Sequence, residues 1–403
     1  MKIPLVHKTN NFFPQIVILL TILVIPFYQL RFFVFNISIS ILSFFLLLFC
    51  TFFYFIFHNT SQKKISKNIF FIFCILFIFS FIPSLFLYPN THAFGVFIEW
   101  IFLPTISGLL LWYYGFKKNS HNFILFCLLL LSLSVSIASL LLFIENFVTY
   151  DHRLSAFFLS PNHLAMFIAP FLFTNIAFFI KTSYKIFKVL CVIAIFSCAS
   201  TLFFTQSFST IFAICASFFI IFSILIKKKK VFILLTTLLL ITLCSLAFLK
   251  FDNSNIIFER NSFSSRIMIW NTSLHLIQKN PLFGYEIDNF QTIYLNAQPL
   301  YTPYLEWAVP TPHNIFLNLL ISGGFFALFS FCTLCAYILY SGYMFYIQNK
   351  KPYIIFIYGS FLTILFCGLF DTPFWKNDLS IIFWIITVLI MPTLSQNQVI
   401  KKE

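Results

Sequence analysis

Charged residues are scarce in this chain of 403 residues, because Asp, Glu, Lys and Arg together make up only 9% of it. Hydrophobic residues make up 60% and aromatic residues 21%, including 63 Phe. A soluble domain carries about 25% charged residues, so this composition excludes the ordinary water-soluble class. The length is sufficient for many membrane spans. We therefore expect a polytopic membrane protein.

Glycine is also scarce, and cysteine is absent from the polar connections. Only 9 glycines are present, and none forms a glycine-rich phosphate loop, which argues against ATP use. All ten cysteines lie inside apolar runs, where no disulfide or four-ligand metal spacing is apparent. We interpret them as small packing residues and expect neither a metal nor a cofactor.

Apolar runs of about 20 residues, the length that crosses a bilayer, occur twelve times. The first run lacks a small-residue cleavage site, so we expect a retained helix and not a signal peptide. Only Gln206 separates the seventh run from the eighth, which makes that boundary the least defined. The predicted spans are 15–30, 33–57, 69–88, 94–116, 122–147, 162–180, 189–205, 207–226, 231–249, 314–346, 353–370 and 379–395.

The positions of lysine and arginine predict the orientation of these helices. With the N-terminus inside, alternate connections hold 18 of the 21 lysines, as the positive-inside rule requires. The net charge of +14 is then an orientation signal, and we expect no nucleic-acid partner. Arginine can bind phosphate with two N–H donors at once. Phosphate binding on the external face is therefore one reason for arginine to occur there. All four arginines fall on the external face: Arg31, Arg153, Arg260 and Arg266.

These patterns predict an all-α polytopic membrane protein in three parts. Residues 1–249 hold helices 1–9, residues 250–313 form a long external loop, and residues 314–403 hold helices 10–12 with a short cytoplasmic tail. Charges gather at the two faces and not at mid-membrane depth. A transporter would carry ionisable residues at that depth, so a flippase or transporter is the less favoured class.

The first external segment with candidate chemistry is YDHRLSAFFLSPNHLAMF, residues 150–167. It offers Arg153 as a phosphate ligand, although an arginine here could equally anchor the membrane interface. Asn162 follows Pro161 at a helix start, where it could bind substrate or act only as a helix cap.

The second segment is the loop at 250–313, long enough to be functional or disordered. Within it, Ile267, Trp270, Leu274 and Ile277 recur at helical spacing, with Ser264 as a plausible N-cap. This predicts an amphipathic surface helix that ends at Asn280–Pro281. Aromatic side chains follow that could stack on sugars or only line the membrane interface: Tyr285, Phe290, Tyr294, Tyr301, Tyr304 and Trp307.

The loop ends in PTPHN, where His313 and Asn314 precede the tenth span. A loop histidine is often a bystander, but a neutral imidazole can also take a proton from a hydroxyl. A third short external turn, residues 371–380, carries Asp371, Lys376 and Asp378.

The motifs in their order resemble the bacterial O-antigen ligase and O-antigen polymerase superfamily. The resemblance rests on Arg266-x3-Trp270, NPLFGY at 280–285, and PHN followed by Gly323–Gly324. The stretch RLSAFFLSPNHLA also resembles that family's Arg–Asn segment before the sixth helix. One departure is Phe208, where the family often has an arginine. This departure puts a phosphate contact at that place in doubt, though Arg260 could substitute.

The resemblance implies a glycosyltransferase of the bacterial inner membrane, with its active site facing the periplasm. Such enzymes transfer a glycan from undecaprenyl pyrophosphate to an acceptor hydroxyl without metal, by inverting displacement. By resemblance, Arg153 and Arg266 would hold the pyrophosphate, and His313 would activate the hydroxyl. The expected substrate-binding residues are Arg260, Asn162, Asn314, Trp270 and Tyr285.

The resemblance to the superfamily leaves the identity of the acceptor molecule open. Ligation to lipid A-core, in lipopolysaccharide biosynthesis, is the favoured expectation, because the main Arg and His motifs lie around one late loop. A polysaccharide polymerase or a protein O-glycosyltransferase would use the same donor with another acceptor. Membrane lipids are expected partners in each case.

Overall fold

The computed structural model describes residues 12–34, 37–58, 69–118, 120–226, 262–298 and 309–391. Helices dominate these residues, with a 3-10 turn at Ile25–Phe27 and a π-helical turn at Phe97–Phe102. The helices are α1 Phe12–Val24, α2 Ile41–His58, α3 Ile69–Phe79, α4 Ile82–Leu87, α5 Thr91–Val96, α6 Leu103–Lys118, α7 His121–Ile144, α8 Pro161–Lys181, α9 Lys185–Thr205, α10 Phe208–Leu225, α11 Ser262–Lys279, α12 Phe290–Ala297, α13 Ile315–Asn349, α14 Pro352–Cys367 and α15 Asn377–Ile390.

The helices confirm a mostly helical membrane protein. Among the described residues, seven helical stretches are long and apolar enough to cross a membrane, and four shorter apolar helices match other predicted runs. The predicted ninth span, 231–249, lies outside the described residues, so the count of twelve stays a prediction. Gln206 adopts a left-handed conformation (φ 50°) between α9 and α10. The seventh and eighth spans are therefore separate helices.

The predicted second span is wrong at its start, because a β-hairpin precedes α2. Strands β1 (Arg31–Val34) and β2 (Ile37–Ser40) pair antiparallel, with Arg31 opposite Ser40. The sequence ISIS alternates apolar and polar residues, which is the period of a strand and not of a helix. Run length alone did not reveal this change of period.

Helix α15 is the centre of the bundle. All of its residues, from Asn377 to Ile390, are buried. It packs against α6 and α14, with further contacts to α2, α8 and α13. Helix α8 packs in turn between α9 and α14. Apolar side chains therefore face protein on every side of α15, while the outer helices keep many exposed Phe and Leu side chains for lipid.

The connections predicted to be external meet at one end of the bundle. Ser84, at the end of the third span, donates to the carbonyl of Tyr285 in the long loop at 2.6 Å. Asn377, at the last external turn, donates to Ser40 Oγ at 3.2 Å. Residues far apart in sequence thus share one surface, as the alternating orientation requires.

The predicted amphipathic helix is present as α11, and it ends at Lys279, just before Asn280–Pro281. Its buried face consists of Met268, Ile269 and Leu276. Ile267 and Leu274, from the predicted apolar face, are 43% and 48% exposed. The helix therefore has two apolar faces, one packed on protein and one left on the surface.

Two of the aromatic residues after α11, Phe290 and Tyr294, are not available as the flat stacking surface that was predicted. Phe290 and Tyr294 are buried and pack with Met268 and Ile269 of α11 and with Ile321 of α13. They therefore contribute to a small core between α11, α12 and α13. Tyr301, Tyr304 and Trp307 lie outside the described residues.

Candidate functional site

His313 lies beside a buried carboxylate that follows α14. Its Nδ1 is 3.4 Å from Asp371 Oδ1, and the side chains are 26% and 6% exposed. The backbone of His313 is left-handed (φ 47°), a conformation that costs a non-glycine residue energy and often marks functional sites. If Nδ1–H donates to Asp371, the Nε2 lone pair is free to accept a proton.

Asp371 is kept ionised although it is buried. Its Oδ1 also accepts the backbone N–H of Thr372 at 3.0 Å. Burial raises the pKa of Asp371, but the His313 hydrogen bond and the charges of His313 and Arg266 outweigh it, so the pKa lies below its ordinary value. Within the described chain, Oδ2 has no hydrogen-bond partner. The carboxylate therefore holds its charge largely through the groups of the candidate site.

Arg266 lies in the second turn of α11 and is half-buried. Its charge acts on Asp371, which places it in the neighbourhood of His313. Among the described residues, no hydrogen bond or ion pair engages its guanidinium. A cation with free donors beside a candidate base can bind an anionic group of a substrate.

Arg153 lies in the connection before α8 and is held by three protein groups. Its Nε donates to the carbonyl of Thr205 at 2.8 Å, and Nη2 donates to Asn162 Oδ1 at 2.8 Å. Nη1 is 3.6 Å from Asp151 Oδ2. Five N–H groups are available on arginine, so some remain for a ligand. Arg153 nevertheless links the end of α9 to the start of α8, and Asn162 serves as its acceptor.

A series of contacts connects Arg153 with the Asp371 region through the start of α10. Ser207, which follows Thr205 and Gln206, lies 3.0 Å from Thr210 between their hydroxyl oxygens. Thr210 in turn contacts Cys367 at the end of α14, close to Asp371. The structure thus brings the predicted segments 150–167 and 371–380 and the end of the long loop to one region.

The other predicted substrate-binding side chains make hydrogen bonds within the protein. Trp270 Nε1 donates to the carbonyl of Pro312 at 3.0 Å, and the Tyr285 hydroxyl donates to the carbonyl of Leu276 at 2.9 Å. Asn314 caps α13 by accepting the amides of Phe316 and Leu317. A substrate role for these three residues stays a prediction. Arg260 lies outside the described residues.

Sequence reasoning missed a second His–Asp pair, which is buried inside the bundle near the end predicted to be external. His163 Nε2 is 2.8 Å from Asp378 Oδ2, and both side chains are almost fully buried. On the other ring nitrogen, Nδ1, the Tyr28 hydroxyl lies at 3.1 Å and Lys376 Nζ at 3.4 Å. An ammonium can only donate, so with Lys376 bonded Nδ1 is an acceptor and Nε2–H donates to Asp378.

Lys376 contacts His163 of the second His–Asp pair, and the charge of Asp371 in the first pair also acts on it. Burial lowers the pKa of Lys376, and the charges of Asp378, Asp371 and Asp288 oppose that shift. The sequence has only eleven acidic residues, and the charges of three of them act on this one lysine. The scarcity of acids was therefore the signal that could have pointed to this cluster. Within the described parts of the chain, no group of three or more His, Cys, Asp or Glu could hold a metal ion.

One comparison with known proteins matches part of this chain. Residues 191–332 match the family model described as O-antigen ligase. The match confirms the resemblance to the O-antigen ligase and polymerase superfamily. It includes Arg266 and His313 and ends before Asp371. No curated protein matches the chain. The family is one of membrane enzymes of the ligase type, which implies lipid-linked glycan substrates.

Proposed function

We propose that this chain, as a relative of the O-antigen ligases, transfers a glycan from undecaprenyl pyrophosphate to an acceptor hydroxyl. The reaction takes place at the periplasmic face of the bacterial inner membrane, and the favoured acceptor is lipid A-core. The family match and the collection of chemically active side chains at one end of the bundle support this proposal.

Arg266 binds the donor's pyrophosphate. Its guanidinium is free of hydrogen bonds to the described residues, and it lies near the candidate base. Each charge-assisted hydrogen bond to phosphate is worth about 1.5–3 kcal/mol. Arg153 supports the same group with the N–H donors that Thr205, Asn162 and Asp151 leave unused.

His313 acts as the general base, and Asp371 orients it. The acceptor hydroxyl gives its proton to Nε2 while its oxygen forms a bond to the anomeric carbon of the donor sugar. The bond from that carbon to the pyrophosphate oxygen breaks, and undecaprenyl pyrophosphate leaves with the electron pair. A single direct displacement inverts the anomeric centre. A positioned base contributes about 10²–10⁴ in rate.

The observation that carries the proposal is the contact between His313 Nδ1 and the buried Asp371, with the free cation of Arg266 nearby. Asn314 already caps α13, so His313 is not needed as its helix cap. A histidine that served only as a cap would also need no carboxylate beside it.

Purified protein in sealed lipid vesicles, given labelled undecaprenyl-pyrophosphate glycan, tests the proposal. Lipid A-core, a second lipid-linked glycan and an acceptor protein are offered in separate reactions, each with and without EDTA. We expect labelled lipid A-core and released undecaprenyl pyrophosphate, with no effect of EDTA. Glycan chain growth would instead identify a polymerase, and a labelled protein would identify a protein glycosyltransferase. Movement of intact donor across the membrane without bond cleavage would refute transfer altogether.

A further inference from the structure

Helix α13 is interrupted close to its external end. Gly324 has φ 67° and ψ −162°, which is outside helical geometry, while the residues on both sides are helical. A break of this kind removes hydrogen bonds from the backbone N–H and C=O groups around it. In an apolar setting these groups need other partners.

The loop that follows α11 supplies those partners. The backbone N–H of Phe325, just after the break, donates to the carbonyl of Pro281 at 2.9 Å. The backbone N–H of Tyr285 donates to the carbonyl of Ile321, just before the break, at 2.6 Å. Residues 281–285 are thus inserted into the gap in α13 and bonded on both sides of it.

Only glycine fits at the two points of closest approach. A Cβ on Gly324 would lie 2.1 Å from Leu282 O, and a Cβ on Gly284 would lie 2.4 Å from Ile321 O. Both glycines also have positive φ, of 67° and 69°, where other residues are strained. We call this contact, residues 281–285 against Gly324, the glycine interlock.

The interlock joins the two elements that carry the proposed active groups. Arg266 lies on α11, which leads directly into residues 281–285, and His313 lies two residues before α13. Near the middle of α11, Trp270 Nε1 donates to the carbonyl of Pro312, next to His313. Helix α11 is therefore attached next to His313 through Trp270 and to α13 through the interlock, and the small core around Ile321 adds a further contact with α13.

We propose that Gly284 and Gly324 are positioning residues that set the place of Arg266 relative to His313. This inference rests on the proposed function, because it concerns the alignment of the phosphate ligand with the base. Transfer depends steeply on such alignment, and a displacement of about 1 Å can cost about 100-fold in rate. A methyl group at either glycine forces residues 281–285 out of the gap and moves α11 with them.

The first experiment compares Gly324→Ala and Gly284→Ala with Gly95→Ala. Gly95 has open space around it, so a Cβ there meets nothing within 4 Å. We expect each interlock variant to lower transfer per folded protein about 100-fold and Gly95→Ala to leave it unchanged. The double variant should be no worse than the worse single variant, because both changes break one contact. Multiplied effects in the double variant would overturn a shared contact.

The second experiment separates positioning from folding. In an Arg266→Ala background the phosphate ligand is already lost, so Gly324→Ala should reduce transfer far less than in the wild type. An equal fold-loss in both backgrounds would mean that the interlock supports only folding, and the inference would be wrong.

Hydrogen exchange gives a readout that does not depend on catalysis. In Gly324→Ala we expect the amides of Tyr285, Phe325 and α11 to exchange faster, while those of α14 and α15 stay protected. Unchanged protection in α11 would overturn the inference even in a protein that transfers glycan. If the wild-type protein transfers no glycan, the proposed function fails, and the exchange result still decides the interlock.

Discussion

Substituting Asp371 by Asn tests whether the buried carboxylate sets the protonation of His313. Asp371 is 4% exposed, and its Oδ1 pairs with His313 Nδ1 at 3.4 Å and with the Thr372 amide at 3.0 Å. Asparagine keeps the size and one acceptor oxygen but removes the charge. Its amide group can also donate to Nδ1, which would move the imidazole proton to Nε2. His313 could then no longer accept a proton from the acceptor hydroxyl.

The size of the effect follows from the hydrogen bond that changes. A charge-assisted hydrogen bond contributes about 1.5–3 kcal/mol, and a neutral one about 0.5–1.5 kcal/mol. A change of about 1.4 kcal/mol in the barrier alters a rate about tenfold. Weakening the bond therefore lowers kcat about tenfold, and losing it lowers kcat about 100-fold. The donor KM should not change, because the donor's pyrophosphate is held by arginine.

The assay measures initial rates of labelled glycan transfer at saturating acceptor, normalised to the monodisperse protein fraction. Glu145→Gln is the matched control, since this carboxylate lies at the same end of the bundle but is exposed. In a His313→Ala background, Asp371→Asn should have no further effect on the rate. Full turnover of Asp371→Asn, or an equal loss in both backgrounds, would refute the role given to the pair.

Three further predictions concern charge and orientation. Arg266→Lys should lose most transfer activity, because an ammonium cannot make paired contacts to phosphate, whereas Arg31→Lys should be nearly silent; full activity of Arg266→Lys would contradict this. The folded pKa of Asp371 is below its unfolded value, so its stabilising effect is complete above the unfolded pKa and is lost as pH falls through the folded one. Arg266→Ala removes a charge that lowers this pKa, so the part of the acid-side fall in Tm that Asp371 contributes should be smaller than in the wild type and should be complete at a higher pH; an unchanged curve would contradict the coupling. Reporter fusions should place Asn280 in the periplasm and Lys185 in the cytoplasm, and a cytoplasmic signal at Asn280 would overturn the orientation.

Much of the helical architecture could be predicted because the bilayer imposes it. A span must be long and apolar, so hydropathy alone finds α8 or α13 within a few residues. Helix α11 was also predictable, since its apolar residues recur at helical spacing and Asn280–Pro281 ends it. The β-hairpin before α2 was not, because its apolar side chains extend the hydrophobic run and conceal the change of period.

The contacts of the candidate site were harder to predict. His313 and Arg266 could be predicted as candidates, because their side chains suit the chemistry and both lie in motifs that resemble those of the family. The bond from His313 to Asp371 joins residues 58 positions apart, and hydropathy carries no information about such pairing. The same holds for His163 and Asp378, and for the gap at Gly324. In the sequence, Gly323–Gly324 indicates only a close approach of helices.

The burial of α15 has a consequence for how the bundle is made. This helix begins at Asn377, yet α2, α6, α8 and α14 all pack on it. A ribosome delivers these neighbours to the membrane before the helix that they surround. They can enter the bilayer one by one, but their inward faces have no shared partner until α15 arrives. The synthesis of α15, and not the membrane entry of its neighbours, is then the event that commits the bundle to its final packing.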